Sequence, residues 1–584
     1  MTTEIYLNIV KYLRRLIEGT KWEGHVFTVG GCCRDRQLGL EIKDVDLAVD
    51  LPMGGVEFAT WLWKKHLTCF RPVIFKRYGT AMTRLKAFPH DDIEIVQTRA
   101  EKYTDHNSRN PETAFGSLED DCYRRDLTIN SLYYDISRDR MLDITGRAIH
   151  DIKCRHIDTP TDPDATYDDD PVRILRTIRF ATRLDWQIPE RIMEAMKRNA
   201  PRLDIIKVER MRGEFEKMLL GPRPGRALEL MNQVGVLDVL MPELKQLCEL
   251  PLEGEPGTVW DHTLRTLNGI KEPDIALRMG ALLHDMGKPA SYSPTDSGEP
   301  RYPRHELRVQ APVMQILERL KYHSPFMKEV VFLCRHHTAA RHWGRDGEKI
   351  SDRDLRHLQY NCVSPSRFRA LITLIDAINH AHSCALAKRG QGAAIMLRDE
   401  QMQAEGSAMY EYHLPFGERR IKNLKQMKSG PQVADCISFL MKEAYKNPLR
   451  SREQFEQLLL DFTPTHGEGV KGKNYPVAVQ PMPDALVPLP GCKRGAGKEF
   501  GIPDSTAKAL RRKEARKKNK VAQEAEAAAS KQNKRKHKRG KRTKERVSEE
   551  PAEAAEAKNK RKKRRHHRSR RRKPAEKMSA DKKA

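Results

Sequence analysis

The 584-residue sequence has no run approaching the roughly 18–20 uninterrupted apolar residues needed to cross a bilayer, which predicts a chain without transmembrane helices. Its start lacks the pattern of a signal peptide: Glu4 comes early, and Ile5 to Ile17 reads as an amphipathic helix with Lys11, Arg14 and Arg15 on the polar side. The eleven cysteines contain no C-x-x-C pair, which argues against a zinc ribbon and for reduced thiols in a cytoplasmic setting. There is no internal repeat. Most of the chain also has little net charge, although the total is +27. Arg511 to Ala584 holds 32 basic and 10 acidic side chains, which leaves 75 basic against 70 acidic in the other 510 residues. Runs such as KQNKRKHKRGKR cannot form a core. They predict a disordered basic tail that contacts RNA phosphates by releasing counterions, or a solubilising or targeting tail.

Short β-rich runs (VFTV, DVDLAV, DIEIVQT, SLYYDI) alternate with turns and short helices from about 25 to 155. From about 160 to 460 apolar residues recur at helical spacing, as in RILRTIRFATRL and FRALITLIDAINHA. Thr463 to Pro503 is rich in Pro and Gly and reads as linker, with a charged helix expected from Ser505 to about Ala529. The fold class is therefore α+β: a head with a small mixed sheet, then an all-helical remainder.

The most informative segment is VFTVGGCCRDRQLGLEIKDVD, Val26 to Asp46. In a strand, Asp44 and Asp46 project to one side while Val45 points away. Two carboxylates so close repel unless a divalent cation lies between them. The Gly30-Gly31 backbone lets phosphates approach, and Arg34 with the following N–H groups can bind them. This is the layout of a metal-dependent nucleotidyl-transfer site. In DIEIVQT, Glu94 lies opposite Ile93 and Ile95, where it either supplies a third carboxylate or faces solvent.

Two further motifs follow. RRDLTIN, Arg124 to Asn130, offers groups that bind phosphate and accept a ribose hydroxyl, or a surface charge cluster. In YDDDPVRILRTIRFATRL, Pro171 fits a first helical turn with Asp169 and Asp170 at the favourable end, and Arg173 and Arg176 share one side. A fixed carboxylate and guanidinium can hydrogen-bond the edge of a base; ordinary capping and ion pairing is the simpler alternative.

GGCCRDRQLGLEIKDVD, RRDLTIN, LDITG, DDPVRILRTIRFA and VERMRGEFEKML resemble, in order and spacing, the motifs of the class II tRNA nucleotidyltransferase and bacterial poly(A) polymerase family, over about residues 20 to 460. The resemblance implies a head (1–158), a helical neck (159–235), a body (236–390), a helical tail domain (391–462) and a linker with disordered basic tail (463–584). It implies that Asp44 and Asp46 are the catalytic, metal-binding pair for two Mg2+ ions, with Gly30, Gly31 and Arg34 holding the triphosphate. Asp126 with Arg125 would recognise the ribose. Asp170 and Arg173, with Arg176 nearby, would pair with the incoming cytosine or adenine, and Glu209 and Arg210 would brace the neck. This chain departs from the family at Asp169 (usually Glu), Cys33 (often Val) and Ile144 (Pro), none of which carries an assigned catalytic role.

The body resembles an HD domain in its order of His262, His284-Asp285 and Asp376, with His305 and His336 or His337 at two additional histidine positions. Imidazole with carboxylate suits Mn, Co, Ni or Zn; a vestigial structural HD fold is the alternative. The leading expectation is CCA addition to tRNA 3′ ends from CTP and ATP by in-line attack of the RNA 3′-hydroxyl. RYGTAMTRLK, from Arg77, resembles the Gly-Thr strand of CCA-adding members. HD members also suggest an accompanying phosphohydrolase activity. The alternatives are a poly(A) polymerase acting on other RNA 3′ ends and an HD phosphohydrolase recruited to RNA. A non-catalytic RNA-binding protein is opposed by the intact Asp44 and Asp46.

Overall fold

The structure is a computed structural model that describes residues 1–75, 79–102, 112–340, 351–382, 390–410, 412–427 and 430–464. Arg77 and Tyr78 of the Gly-Thr run, the linker beyond Pro464 and the whole basic tail lie outside the described residues. Among the described residues, no helix is long and apolar enough to cross a membrane.

The chain opens with the expected amphipathic helix, Thr3–Ile17, capped by the Thr2 hydroxyl and burying Tyr6, Ile9, Val10, Leu13 and Ile17. The head strands are β1 (Val26–Val29), β2 (Val45–Val49), β3 (Val73–Phe75), β4 (Thr80–Arg84), β5 (Asp92–Gln97), β6 (Arg99–Lys102), β7 (Glu112–Phe115), β8 (Leu132–Asp135) and β9 (Arg140–Asp143). Seven of them form one sheet in the order β3-β4-β5-β2-β1-β8-β9, and β6 pairs with β7 alone. The sheet is mixed, because β2 and β5 run parallel whereas the other neighbours are antiparallel. Val26, Val45, Leu47, Ile93 and Ile95 bury one face in the main head core with the first helix. The opposite face carries a smaller apolar cluster of Phe27, Val29, Ala48, Cys122 and Tyr133. Asp46 shares that face with Ala48, two residues along β2.

Two features lock the head. Helix Gly54–Lys64 lies against β4 and β5 through a glycine contact. A Cβ on Gly55 would come within 2.7 Å of the Ile95 carbonyl oxygen and still nearer that of Gly79. The second feature is a buried carboxylate, Asp121, in helix Leu118–Tyr123. It accepts hydrogen bonds from Arg124 Nε (3.0 Å), Arg125 Nη2 (2.7 Å) and the Tyr133 hydroxyl. Burial alone would raise its pKa, but Arg125, Arg124 and Tyr133 outweigh that and hold it well below the usual carboxylate range.

Beyond Pro160 the described structure is helical. One apolar cluster runs from Tyr167 to Tyr410 and serves the stretches expected as neck and body together. Met409 to Leu459 form a separate small core.

Gly55→Ala is expected to cost the head about 1–3 kcal/mol by overpacking. Gly213→Ala, inside helix Val208–Leu219 with open space around the new Cβ, should instead be neutral or stabilise by about 0.5–1 kcal/mol. Chemical denaturation of the two variants distinguishes these outcomes. Because its folded pKa is depressed, Asp121 contributes stability above its unfolded pKa of about 3.9 and loses it as pH falls toward the folded value. Asp121→Asn should therefore lower Tm clearly at pH 7, with the gap from wild type closing below about pH 4.

Candidate functional site

The first site is assembled at the N-terminal ends of the central, neighbouring strands β2 and β5. Parallel register sets Asp46 directly beside Glu94 and flanks them with the pairs Val45–Ile93 and Leu47–Ile95. The isoleucines are buried while Glu94 is exposed, so strand alternation turns Glu94 to the Asp46 side. Asp44 lies just before β2 and is exposed. The sum of burial, Glu94 and Asp44 pushes the Asp46 carboxyl up to about 6, against the pull of Arg125 and Arg34. This excess of negative charge and of hard oxygen donors fits a divalent cation such as Mg2+.

Beside it lies the glycine turn. Gly30 has φ +73° and ψ −120°, a conformation that favours glycine, and its N–H donates to the Leu132 carbonyl at 3.0 Å. A Cβ there would stand 3.4 Å from Arg125 Nη1, so the bare backbone keeps the turn open toward that guanidinium. Gly31 begins helix Gly31–Gln37.

Arg34 is buried one turn into this helix. Its Nε donates to Asp35 at 2.8 Å, Nη1 donates to the Asn130 side chain, and the guanidinium lies 4.8 Å from the centre of the Phe180 ring. Asn130 Nδ2 donates to Asp126 at 3.0 Å, and Asp126 accepts from Arg176 Nε at 2.7 Å. Asp35 also meets Arg183 at 3.4 Å. Arg176, Phe180 and Arg183 all belong to helix Val172–Leu184, so this one helix grips the glycine turn along two routes. Burial would raise the Asp126 pKa, but Arg176 and Asn130 hold it well below the usual range.

The neck motif is arranged differently from its expected form. Asp169 ends helix Pro163–Asp169, and Pro171 precedes helix Val172–Leu184, with Asp170 accepting from Val172 N–H at 3.3 Å. Pro171 itself has helical dihedrals, φ −56° and ψ −23°, and stands at the start of the helix as expected, with Asp169 and Asp170 just before it. Asp170 forms a two-pronged pair with Arg210, one contact being 3.2 Å. Arg173 is buried, donating to the Thr166 carbonyl (3.1 Å) and the Arg124 carbonyl (2.7 Å), which ties helix to head. Arg173 and Arg176 do share a helix side, but they reach different partners. Glu209 pairs with Lys321 at 2.8 Å.

The second site is a buried histidine cluster. His262 sits in helix Val259–Gly269, whose start is fixed by a capping box of Thr258 and Asp261. His284 and Asp285 follow helix Ile275–Leu283, His305 begins helix His305–Arg308, and His337 follows helix Ser324–His336. The ligand atoms of His262, His284 and Asp285, and those of Asp285, His305 and His337, lie within 4.8 Å of one another. Nδ1 of His284, His305 and His337 each faces a backbone carbonyl, at 2.8, 3.0 and 2.6 Å. Each ring thus holds its proton on Nδ1 and presents the Nε2 lone pair. His305 Nε2 and His337 Nε2 then face each other at 3.0 Å. Burial pushes His305 down to about 4 and His337 well below its usual value, so both rings are neutral near pH 7. Two acceptor nitrogens in that position fit a shared cation.

Of the two adjacent histidines, His337 joins the cluster, while His336 stacks on Phe332 and bonds its carbonyl at 2.8 Å. Asp376 stands outside these groups: it accepts from Gly392 N–H at 3.3 Å and lies 3.5 Å from His380. Sequence reasoning missed Glu255 and His382, which the structure brings to His262, and Lys288, which contacts Asp285 at 2.7 Å. A histidine six residues after Asp376 was the available signal for His382; Glu255, in a Pro-Gly loop, gave none.

The Poly A polymerase head domain matches residues 26–158, and the probable RNA- and SrmB-binding site of polymerase A matches residues 185–248. The tRNA nucleotidyltransferase cca1 of Schizosaccharomyces pombe is 34% identical over 251 residues, covering 40% of this chain and 48% of that protein. The mitochondrial CCA tRNA nucleotidyltransferase of Saccharomyces cerevisiae is 35% identical over 231 residues, covering 36% and 41%. The chain thus spans less than half the length of these two fungal relatives. The multifunctional CCA protein of Neisseria meningitidis serogroup B is 30% identical over 327 residues, 53% of this chain and 72% of that protein. The solved Bacillus stearothermophilus CCA-adding enzyme in complex with CTP superposes with a TM-score of 0.56 at 20% identity, over 79% of this chain and 98% of that one, which shows a shared fold. With ordered motifs, fold and relatives in agreement, the chain belongs to the class II tRNA nucleotidyltransferase and bacterial poly(A) polymerase family.

Proposed function

We propose that the chain is a template-independent tRNA nucleotidyltransferase that adds CCA to tRNA 3′ ends from CTP and ATP. The observation that carries this reading is the register of β2 and β5, which pairs Asp46 with Glu94 beside the Gly30 turn, with Asp44 two residues before Asp46. The relatives named CCA tRNA nucleotidyltransferase support the choice of substrate.

In this reading Asp44 and Asp46, with Glu94, hold two Mg2+ ions. Bound there, these supply a lowered pKa for the attacking 3′-hydroxyl and charge neutralisation on the triphosphate. The residues of the chain do the rest. Gly30 and Gly31 let the phosphates reach the backbone, and Arg125, held by Asp121, faces that turn. Arg34 braces the turn from below through Asn130 and adds positive charge. The ribose role expected of Asp126 with Arg125 is assigned here to Asp126 with Arg176, because Arg125 is held by Asp121 whereas Arg176 pairs with Asp126. The Asp170 carboxylate, paired with the neighbouring Arg210, offers donors and acceptors to the edge of the incoming base, while Arg173, held by the Thr166 and Arg124 carbonyls, would reach the base only by leaving those partners. The division into head, neck, body, tail domain and basic C-terminus is kept as part of this proposal, with the C-terminal basic runs contacting RNA.

Polyadenylation is the second reading, favoured by the polymerase A descriptions of both matched segments. The buried histidine cluster favours an accompanying activity in the body, namely phosphohydrolase chemistry with Mn, Co, Ni or Zn held by His262, His284, Asp285, His305 and His337. Asp376 would join only by turning away from Gly392.

Purified protein offered tRNAs lacking one, two or three terminal nucleotides should add only those missing, using CTP for C and ATP for the final A. Sequencing of the product ends reads this directly. Long A tracts on generic RNA, with CTP ignored, would replace CCA addition by polyadenylation.

A further inference from the structure

Next to the HD-like cluster, a second set of ligating side chains converges on His262. Glu255, from the loop before helix Val259–Gly269, and His382, just after helix Pro365–Ala381, meet His262 with all three ligand atoms within 4.8 Å of one another. The Glu255 side chain is 1% exposed, and His262 is equally buried. His382 keeps 17% of its side chain exposed, which leaves a way in from solvent. The rings of His262 and His382 lie 4.3 Å apart between centroids, and that of His284 lies 5.6 Å from His262 on the cluster side.

Three observations point to a ligand here. His262 Nδ1 is buried without a hydrogen-bond partner, a state that native structures rarely leave unexplained. The Glu255 carboxylate is buried against two imidazoles, with Arg265 3.6 Å away and His382 Nδ1 at 2.9 Å. The arrangement is also braced: Arg265 Nε donates to the Ala381 carbonyl at 2.8 Å, which pins the end of helix Pro365–Ala381, next to His382, to the helix carrying His262. A rigid set of two imidazoles and one carboxylate with further positions open is a donor set suited to a borderline divalent ion.

We propose that Glu255, His262 and His382 bind a divalent transition-metal ion at a position beside the His284–Asp285–His305–His337 cluster and distinct from it. The three protein ligands leave a coordination position for water or a phosphate oxygen. The site shares only His262 with the HD-like set and does not rest on the nucleotidyl-transfer reading.

The test is metal counting on the full chain. Protein stripped with a chelator is dialysed against Co2+, bound Co2+ per chain is measured by elemental analysis, and the visible absorption of the ion is recorded. Histidines elsewhere in the chain are common to all variants and cancel in the comparison. Glu255→Gln and His382→Gln should each bind one Co2+ fewer than wild type, with a changed spectrum and unchanged helical circular dichroism. His305→Gln should retain that ion, whether or not it loses another from the HD-like cluster. Wild-type stoichiometry and spectrum in both Glu255→Gln and His382→Gln would overturn the proposal. So would a wild-type chain that takes up no Co2+, or a sole ion that His305→Gln removes.

Discussion

The pairing of buried Asp126 with the partly exposed Arg176 is the contact on which the candidate active site depends. Asp126 belongs to the head and Arg176 to helix Val172–Leu184, and their contact at 2.7 Å continues through Asn130 to Arg34. The same helix returns to the Arg34 helix through Arg183 and Asp35, and Phe180 fills the space beneath Arg34. The glycine turn is therefore held by a closed circuit of charges and one aromatic ring. Such a pair adds little net stability over apolar packing, but removing Arg176 strands the buried Asp126 carboxylate, at a cost below the ~3–5 kcal/mol of a fully buried pair because the Arg176 side chain is 34% exposed. The circuit makes the position of the turn sensitive to where the helix lies.

The two candidate sites handle charge in opposite ways. In the head, carboxylates are gathered until one of them, Asp46, holds its proton to about pH 6, which is an electrostatic debt suited to hard dications. In the body, neutral imidazoles are fixed by backbone carbonyls so that their lone pairs converge on a single carboxylate, Asp285. Softer ions match that second environment. The chain thus presents two donor environments of different hardness.

Much of this was legible in the sequence, for identifiable reasons. Alternation of Ile93, Glu94 and Ile95 set the face of Glu94, and β-rich runs located β1, β2, β5 and β8. What alternation could not supply was strand order, and only the parallel pairing of β2 with β5 turns Glu94 from a solvent residue into the neighbour of Asp46. The fate of long side chains was equally hidden. Arg34 reads as a triphosphate ligand and Arg173 as half of a base-reading pair, yet both are buried by partners distant in sequence, Asn130 and the Arg124 carbonyl. Glu255 escaped notice because a loop has no period, and its meeting with His382 spans 127 residues.

The central claim is that the Asp44–Asp46–Glu94 edge performs nucleotidyl transfer while the Asp170 side chooses the base. Single-turnover incorporation of CMP and AMP into matched tRNA ends, compared in Asp46→Asn and Asp170→Asn, tests it most directly. Asp46→Asn should slow both nucleotides together by about a thousandfold or more, since it removes a group needed by the transition state alone. Asp170→Asn should instead change the ratio of the two rates. Near-normal rates in Asp46→Asn, or an Asp170→Asn variant with an unaltered ratio, would contradict the account.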